Sequence, residues 1–584
     1  MSKLHDTQRS SLKTGQKPSR LFIALLAAFL TLFSALTAIC CMNGMGMGSM
    51  GMNGMGMGMN AATGTSGIVD TVRFAPAATC AQCHNHLYDT QGQDVSIHAD
   101  WEGTVMANAG RDPIWQAKVN SEVLRIPHLR SIIEERCSRC HTAMARVEAQ
   151  ATGGEPLLTG TGFFNITNPY HALANESVSC TMCHQILPGT GDKSEFTGNY
   201  PFDSNTARPQ RQLFGPYADP FAMPMVRMAA FTPAKGEQTE ESSLCSHCHT
   251  LYVPFVDDSG KVVGESPEQT PYLEWLASSF AQKEPPGYRS CQGCHLPHDS
   301  AAAWVASMPR HLAPREGFAL HHLVGGNVFL LSLLEKQGAS FETTAPPERF
   351  GITRQRTEAM LRENTATVAV ESPRKEDDFI EIPVRVTNLA GHKFPTGVPA
   401  RRAWLHVTVR DESGAVIFES GGYQPDGSIT GNAADVDLAS YEPHYDRIDA
   451  QDQVQIYEMV MGDIADRVTY TFVRAKDHLK DNRLLPAGFS KAKAADDIRV
   501  HGAAHDDPNF TGGSDLVTYR IARGVRPGGR YRISVELLYQ PVSYPFLKDL
   551  LTLREKSEAI GKIDKALKET PIETFIVTKT TIEL

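Results

Sequence analysis

The chain has 584 residues, enough for two or three domains and a sizeable core. Its 66 acidic residues outnumber 56 basic ones, giving a formal net charge of -10, and they are dispersed rather than gathered in runs. That balance excludes a basic surface suited to nucleic acid, and no charge run marks out a partner.

The N-terminus reads as a targeting region. Residues 1–20 form a basic, cytoplasmic stretch carrying Lys3, Arg9, Lys13, Lys17 and Arg20. An apolar run, 21–41, follows, and no charge returns until Asp70. This asymmetry predicts an N-terminus in the cytoplasm and everything after the run outside. The run can span a bilayer of roughly 30 Å and has no clean small-x-small cleavage site, so a membrane anchor is expected ahead of a cleaved signal peptide. A lipid-modified Cys40 or Cys41 is the third reading, disfavoured by Ile39 before it.

Residues 42–67 are expected to be a flexible linker, because 42–60 consist of Met, Gly, Asn and Ser. The second reading of that run is a Cu(I) site, since thioether ligands select this soft ion. Nothing in the run fixes a coordination geometry, so the tether is preferred.

Five Cys-x-x-Cys-His elements then organise the chain: Cys80/Cys83/His84, Cys137/Cys140/His141, Cys180/Cys183/His184, Cys245/Cys248/His249 and Cys291/Cys294/His295. Such an element attaches a c-type haem, two thiols meeting the two vinyl groups and the adjacent His becoming the proximal iron ligand. A lone Cys-x-x-Cys is equally a redox dithiol or half a zinc site; five copies each followed by His are not. Five covalent haems c are therefore expected. No cysteine beyond residue 41 is left for a disulfide. Haem attachment to thiols also requires an exported chain, in keeping with the N-terminus.

Between the motifs the sequence does not repeat. Helical segments are predicted at Arg111 to Val123 and Leu129 to Ala143, with Pro-, Gly- and Asn-rich connections at 152–170 and 200–224. Residues 68–345 read as a mainly helical and coil pentahaem domain, and 346–364 as a helical connector opened by two prolines. From 365 to 584 the texture changes to period-two alternation: Ile380, Ile382, Val384 and Val386, then Leu405, Val407 and Val409, then Val468, Tyr470 and Phe472, then Ile533, Val535 and Leu537. With turns at 411–414, 425–427 and 527–529 this predicts an antiparallel β-sandwich, and Lys548 to Lys568 is predicted as a helix within it. The fold class is thus α+β multidomain, a helical multihaem part followed by a sandwich.

Several blocks resemble a group of bacterial multihaem c-type cytochromes with a C-terminal β-sandwich. They are Ser96-Ile-His98-Ala-Asp-Trp101 with Met106-Ala-Asn108 and Arg111-Asp-Pro113, Phe214-Gly-Pro-Tyr217, and Thr270-Pro-Tyr-Leu-Glu-Trp275 leading to Ser290-Cys-Gln-Gly-Cys-His-Leu-Pro297. His321-His-Leu-Val-Gly325 and Gly391-His-Lys-Phe-Pro-Thr-Gly397 complete the set. The resemblance implies distal iron ligands at His98, His321 and His392, and His171, nine residues before Cys180, resembles the same pattern. The fifth distal position stays open among His128, His86, His298 and His311, with His128 ahead by spacing; Met106, Met144 or an open site are the alternatives.

The sequence therefore leads to an exported pentahaem cytochrome that moves electrons between redox partners, such as a membrane quinol oxidoreductase or an extracellular acceptor, on the periplasmic face of the membrane. Two alternatives stand beside it: an oxidoreductase acting on a small nitrogen or sulfur compound at one open haem, and a subunit of a cytochrome filament or complex. No lysine replaces a proximal His, which disfavours one known type of nitrite reductase. The sequence does not set the oligomeric state.

Overall fold

Asp112 shows how local chemistry sets up the first half of the molecule. Its carboxylate accepts hydrogen bonds from the Ile114 and Trp115 amides, and Pro113 takes the first helical position, so the helix runs Pro113–Arg125. The next helix is Arg130–His141, with Ala143–Ala151 following beyond Thr142. These two start one or two residues from where the periodicity predicted. The computed structural model describes residues 69–282, 287–522, 524–526 and 528–584. The predicted export segment and the Met/Gly run with its Cu(I) reading lie outside the described residues. No helix among the described residues is long and apolar enough to cross a membrane.

The first half is built from short helices joined by long loops. Two small sheets interrupt it: β1 (Gln212–Gly215) lies parallel to β2 (Thr232–Lys235), and β3 (Leu251–Val256) lies antiparallel to β4 (Val262–Gln269). An apolar helix, Val328–Gln337, is capped by the Asn327 side chain and packs on the connector helix Pro347–Glu363.

The second half is a sandwich of two sheets. Its strands are β5 (Ala366–Val370), β6 (Arg374–Lys375), β7 (Ile380–Asn388), β8 (Arg402–Asp411), β9 (Val416–Ser420), β10 (Arg447–Ile448), β11 (Ile456–Gly462), β12 (Asp477–Asp481), β13 (Ser514–Ile521), β14 (Tyr531–Gln540) and β15 (Phe575–Glu583). One sheet runs β10-β13-β7-β5 with β6 beside β7, the other β12-β11-β8-β14-β15 with β9 beside β8. Only β10 and β13 pair in parallel within them. Ile380, Ile382, Val384 and Val386 of β7 are buried against Leu405, Val407 and Val409 of β8 and Ile533, Val535 and Leu537 of β14, all in one apolar cluster. Period-two alternation puts these residues on one face of each strand, and burial of each such side chain is worth about 1.5–3 kcal/mol.

Two expectations need correction. Val468, Tyr470 and Phe472 do not form a strand: Val468 makes an isolated bridge to Gly462, and Phe472–Arg474 is a 3-10 turn. The helix Pro113–Arg125 takes the backbone groups a neighbouring strand would need. Glu122 accepts the Phe472 and Val473 amides at 3.0 and 3.2 Å, and Lys118 Nζ donates to the Tyr470 carbonyl at 2.6 Å. The predicted helix over 548–568 is two helices, Tyr544–Leu551 and Glu558–Glu569, because Ser557 caps the second at Ile560. The described residues form one compact unit, and the two halves share buried contacts of this kind.

Candidate haem-binding sites

Each motif sits on or at the end of a helical turn: Ala77–His84, Arg130–His141, Cys180–Cys183, Ser243–Ser246 and Cys291–His295. A helical turn brings thiols three residues apart to one face, with the following His just beyond them. The ten thiols are free and partly exposed.

Four of the five motif histidines have one ring nitrogen fixed by a backbone carbonyl. Nδ1 of His84 donates to Val305 O at 2.8 Å, His141 to Ala109 O at 3.1 Å, His184 to Phe214 O at 2.5 Å and His295 to Val324 O at 2.6 Å. A proton held on Nδ1 leaves the Nε2 lone pair for a metal, the arrangement that metal-bound histidines adopt. Burial keeps these rings neutral: it pushes His141 and His249 down to about 4 and lowers His84, His184 and His295. Trp115 stacks on His141 with ring centres 4.2 Å apart and planes 3° from parallel.

Two motif histidines face a second imidazole with the same spacing. The ring centres of His184 and His321 are 6.4 Å apart, and those of His295 and His392 are also 6.4 Å apart, with interplanar angles of 23° and 10°. Imidazole nitrogens bound about 2.0–2.1 Å from a shared metal ion put their ring centres roughly 6 Å apart. His321 and His392 also give Nδ1 to carbonyls, of Ala319 at 3.0 Å and Lys393 at 2.8 Å. The donor set therefore fits an iron between each pair, with thiols three residues apart beside it.

The other sequence-predicted histidines are placed differently. His98 lies on the helix Ile97–Glu102, its ring centre 5.8 Å from that of Trp101, with burial lowering its pKa. His171 gives both nitrogens away, Nδ1 to Phe163 O at 2.8 Å and Nε2 to the Glu342 carboxylate at 2.7 Å. His128 has Nε2 on Gly260 O at 2.7 Å. His322, beside His321, stands 3.6 Å from Asp100.

Among the histidines to which sequence reasoning gave no role are the buried His247 and the half-buried His478. His247, inside the fourth motif, has Nδ1 3.1 Å from Glu195 O. His478 lines a narrow cleft with Glu268, Phe472 and Asp477 between β4 and β12, and no described residue hydrogen-bonds to its ring. Burial sets His478 at about 4 and Glu268 at about 8. Asp477, His478 and His501 come together there, but Arg499 already donates to His501 and Asp477. The spacing of these residues along the chain gives no sequence signal for the cluster.

Thiols of different motifs meet in pairs. Cys80 adjoins Cys180, Cys140 adjoins Cys248, and Cys245 adjoins Cys291: Cys180 is the largest influence on the ionisation of Cys80, Cys140 on that of Cys248, and Cys291 on that of Cys245. Cys183 lies close enough to Cys245 and Cys248 to raise both. The first, third, fourth and fifth motifs thus follow one another in space, and the second joins at the fourth.

A segment from later in the first half packs on the C-terminal end of the helix Ala77–His84. The Cys83 carbonyl accepts the Ser307 amide at 2.8 Å and the Ser307 hydroxyl at 3.2 Å, while the adjacent His84 ring is tied to Val305 O. Residues 305–307 therefore flank Cys83 where a second motif flanks Cys80. Its expected thioether to a haem rests on the motif spacing alone.

No family model matches the sequence, and no curated protein matches it. Among solved structures, the chain is similar to the crystal structure of a penta-heme cytochrome c552 from Thermochromatium tepidum, with a TM-score of 0.47 and 16% identity, covering 88% of this chain and 100% of that one. A likeness of this degree does not transfer a ligand or an activity.

Proposed function

We propose that the protein is an exported c-type cytochrome with five covalent haems that carries electrons between redox partners. The observation that supports this most is the pairing of His184 with His321 and His295 with His392 at 6.4 Å, each beside a Cys-x-x-Cys turn. Bound haem iron supplies a one-electron Fe(III)/Fe(II) couple. The chain's own residues do the rest. The two thiols of each motif would hold a haem by adding across its vinyl groups, the thiol proton going to carbon, so attachment would need no oxidant. His84, His141, His184, His249 and His295 would each offer Nε2 to an iron, and His321 and His392 would do so at two of the sites. The carbonyls of Val305, Ala109, Phe214 and Val324 hold four rings in orientation, and Trp115 covers one face of His141. Meeting thiols put neighbouring attachment sites close together, which suits rapid electron exchange. Export, a periplasmic location and an N-terminal anchor are part of this reading, as are a membrane quinol oxidoreductase or an extracellular acceptor as partners.

A haemochrome assay on purified protein, with intact mass after denaturation, tests the reading. Five haems per chain that survive denaturation are expected; four or fewer in fully matured protein would show that one motif holds a metal or serves structure instead.

A second reading is favoured by the engagement of His171 and His128, whose Nε2 atoms bond to Glu342 and Gly260. If one iron has no second protein ligand, the protein is an oxidoreductase acting on a small nitrogen or sulfur compound at that iron. Stoichiometric CO or nitrite binding, with a high-spin signal in the resting protein, distinguishes it.

A further inference from the structure

The loop between β7 and β8 carries His392 and lies over a group of buried charges that serve no purpose in the sandwich core itself. Lys393 is fully buried, and its Nζ donates to Asp481 at 2.6 Å. Asp481 also accepts Nε and a terminal nitrogen of Arg483, both at 2.8 Å. Arg483 in turn stands 2.8 Å from Glu274, which is fully buried on the helix Pro271–Leu276 of the first half. Two cations and two anions thus form a neutral chain from the helical half into the sandwich. Charges buried in this way persist only when each is paired.

The far end of the chain holds the peptide unit that follows His392. Glu274 accepts the Lys393 amide at 3.2 Å and the Thr396 hydroxyl at 2.6 Å. The Lys393 carbonyl is the group that accepts His392 Nδ1, at 2.8 Å. On the other side Asn388 donates to the His392 carbonyl at 2.9 Å. A Cβ at Gly391 would lie 3.4 Å from both Trp275 and Phe280, so the loop is pressed against the same helical half.

We propose that Glu274, acting with Arg483, Asp481 and Lys393, is a positioning residue that fixes the His392 ring opposite His295. The inference rests on the reading of His392 as an iron ligand. Removing the Glu274 charge leaves Arg483 without that partner and weakens the acceptor for the Lys393 amide and the Thr396 hydroxyl, so the His392 ring would be held less firmly and the ferric state less favoured at that centre alone.

The test uses full-length holoprotein. Glu274→Gln is expected to keep all five haems, while one low-spin ferric signal in the electron paramagnetic resonance spectrum turns high-spin or heterogeneous. The reduced protein gains CO binding at one haem, and the potential of one centre rises. Glu274→Asp, which keeps the charge, recovers part of the low-spin signal. Thr396→Val, a mild change that leaves the four charges in place, shows the same effect to a smaller extent. His392→Ala is the control. If it produces one high-spin haem and neither Glu274→Gln nor Thr396→Val alters that signal, the positioning role is wrong. Disturbance of several haems at once by Glu274→Gln would likewise overturn it, since that marks a general staple. If His392→Ala leaves every haem low-spin, the ligand reading itself has failed.

Discussion

The two halves of this protein are stable for different reasons. In the sandwich, one apolar cluster runs through both sheets, and nearly every inward residue of β7, β8 and β14 is buried. In residues 69–345 the apolar residues divide among several clusters: one gathers Phe74, Met144, Phe163 and Leu173, another joins Ile114 and Leu330 to Phe546 and Ile560, and smaller ones hold Leu87, Val95, Ala303 and Phe318, or Ala75, Leu213 and Phe231. Side chains clasping backbone hold the segments between them. Arg208 reaches the carbonyls of Thr71 and Ala229, and Arg211 reaches Gln185 and Asp203 O. Cys137 packs against two of the first half's clusters. A sheet-on-sheet core completes itself; on the proposed reading, porphyrins held at the five motifs complete the core between the short helices of the first half.

The sharpest way to break this comparison is to make the chain without haem maturation. Hydrogen exchange should then show rapid exchange across 77–84, 130–141, 180–184, 243–249 and 291–295, while β7, β8 and β14 stay protected. Equal protection in both halves would mean that the helical half folds without its cofactors.

Next in size is a cut in the sandwich. Trp404, fully buried on β8, donates its indole N–H to Gly421 O, and Trp404→Ala should cost roughly 3–5 kcal/mol in denaturant unfolding. The haem spectrum below the transition should not change, because the cavity lies in the sandwich alone. A spectral change would couple the halves more tightly than described.

The seam between the halves gives a smaller effect. Glu122→Gln keeps the shape but weakens the acceptor for the Phe472 and Val473 amides and for Lys118. A loss of about 1–3 kcal/mol is expected, with faster exchange confined to 468–475. Exchange that speeds up throughout β11 and β12 would place the seam deeper than the 3-10 turn.

The smallest effect is a pH dependence at Asp112. Burial raises its folded pKa to about 6, against an ordinary carboxyl near 3.8. A raised folded pKa gives stability that is full below the unfolded value and lost as pH rises through the folded one. Chemical denaturation between about pH 4 and 6 should therefore show a falling contribution of at most about 1.4 kcal/mol per unit. Asp112→Asn should flatten that slope, and an unchanged slope would assign it to other groups.

Sequence alone determined what chemistry each segment can do. Five Cys-x-x-Cys-His elements, the alternation through 380–386, 405–409 and 533–537, and the Pro-led connector were legible because each depends on neighbours along the chain: a helical turn, a pleated strand, a helix start. The Gly391–Gly397 block was legible as a loop for the same reason. Tertiary structure alone decided which histidine faces which, and which thiols meet. Nothing in the spacing sets His321 opposite His184 or His392 opposite His295, nor commits His171 to Glu342, since each pair joins segments 97 to 171 residues apart. Cys80 and Cys180 belong to different motifs, yet the fold brings their thiols together. The failed strand at 468–472 has the same cause: its alternation was real, but Lys118 and Glu122 reach its backbone from a distant helix. The Glu274–Arg483–Asp481–Lys393 chain was equally hidden, because buried charges are read from their partners, and partners are supplied only when the chain has folded.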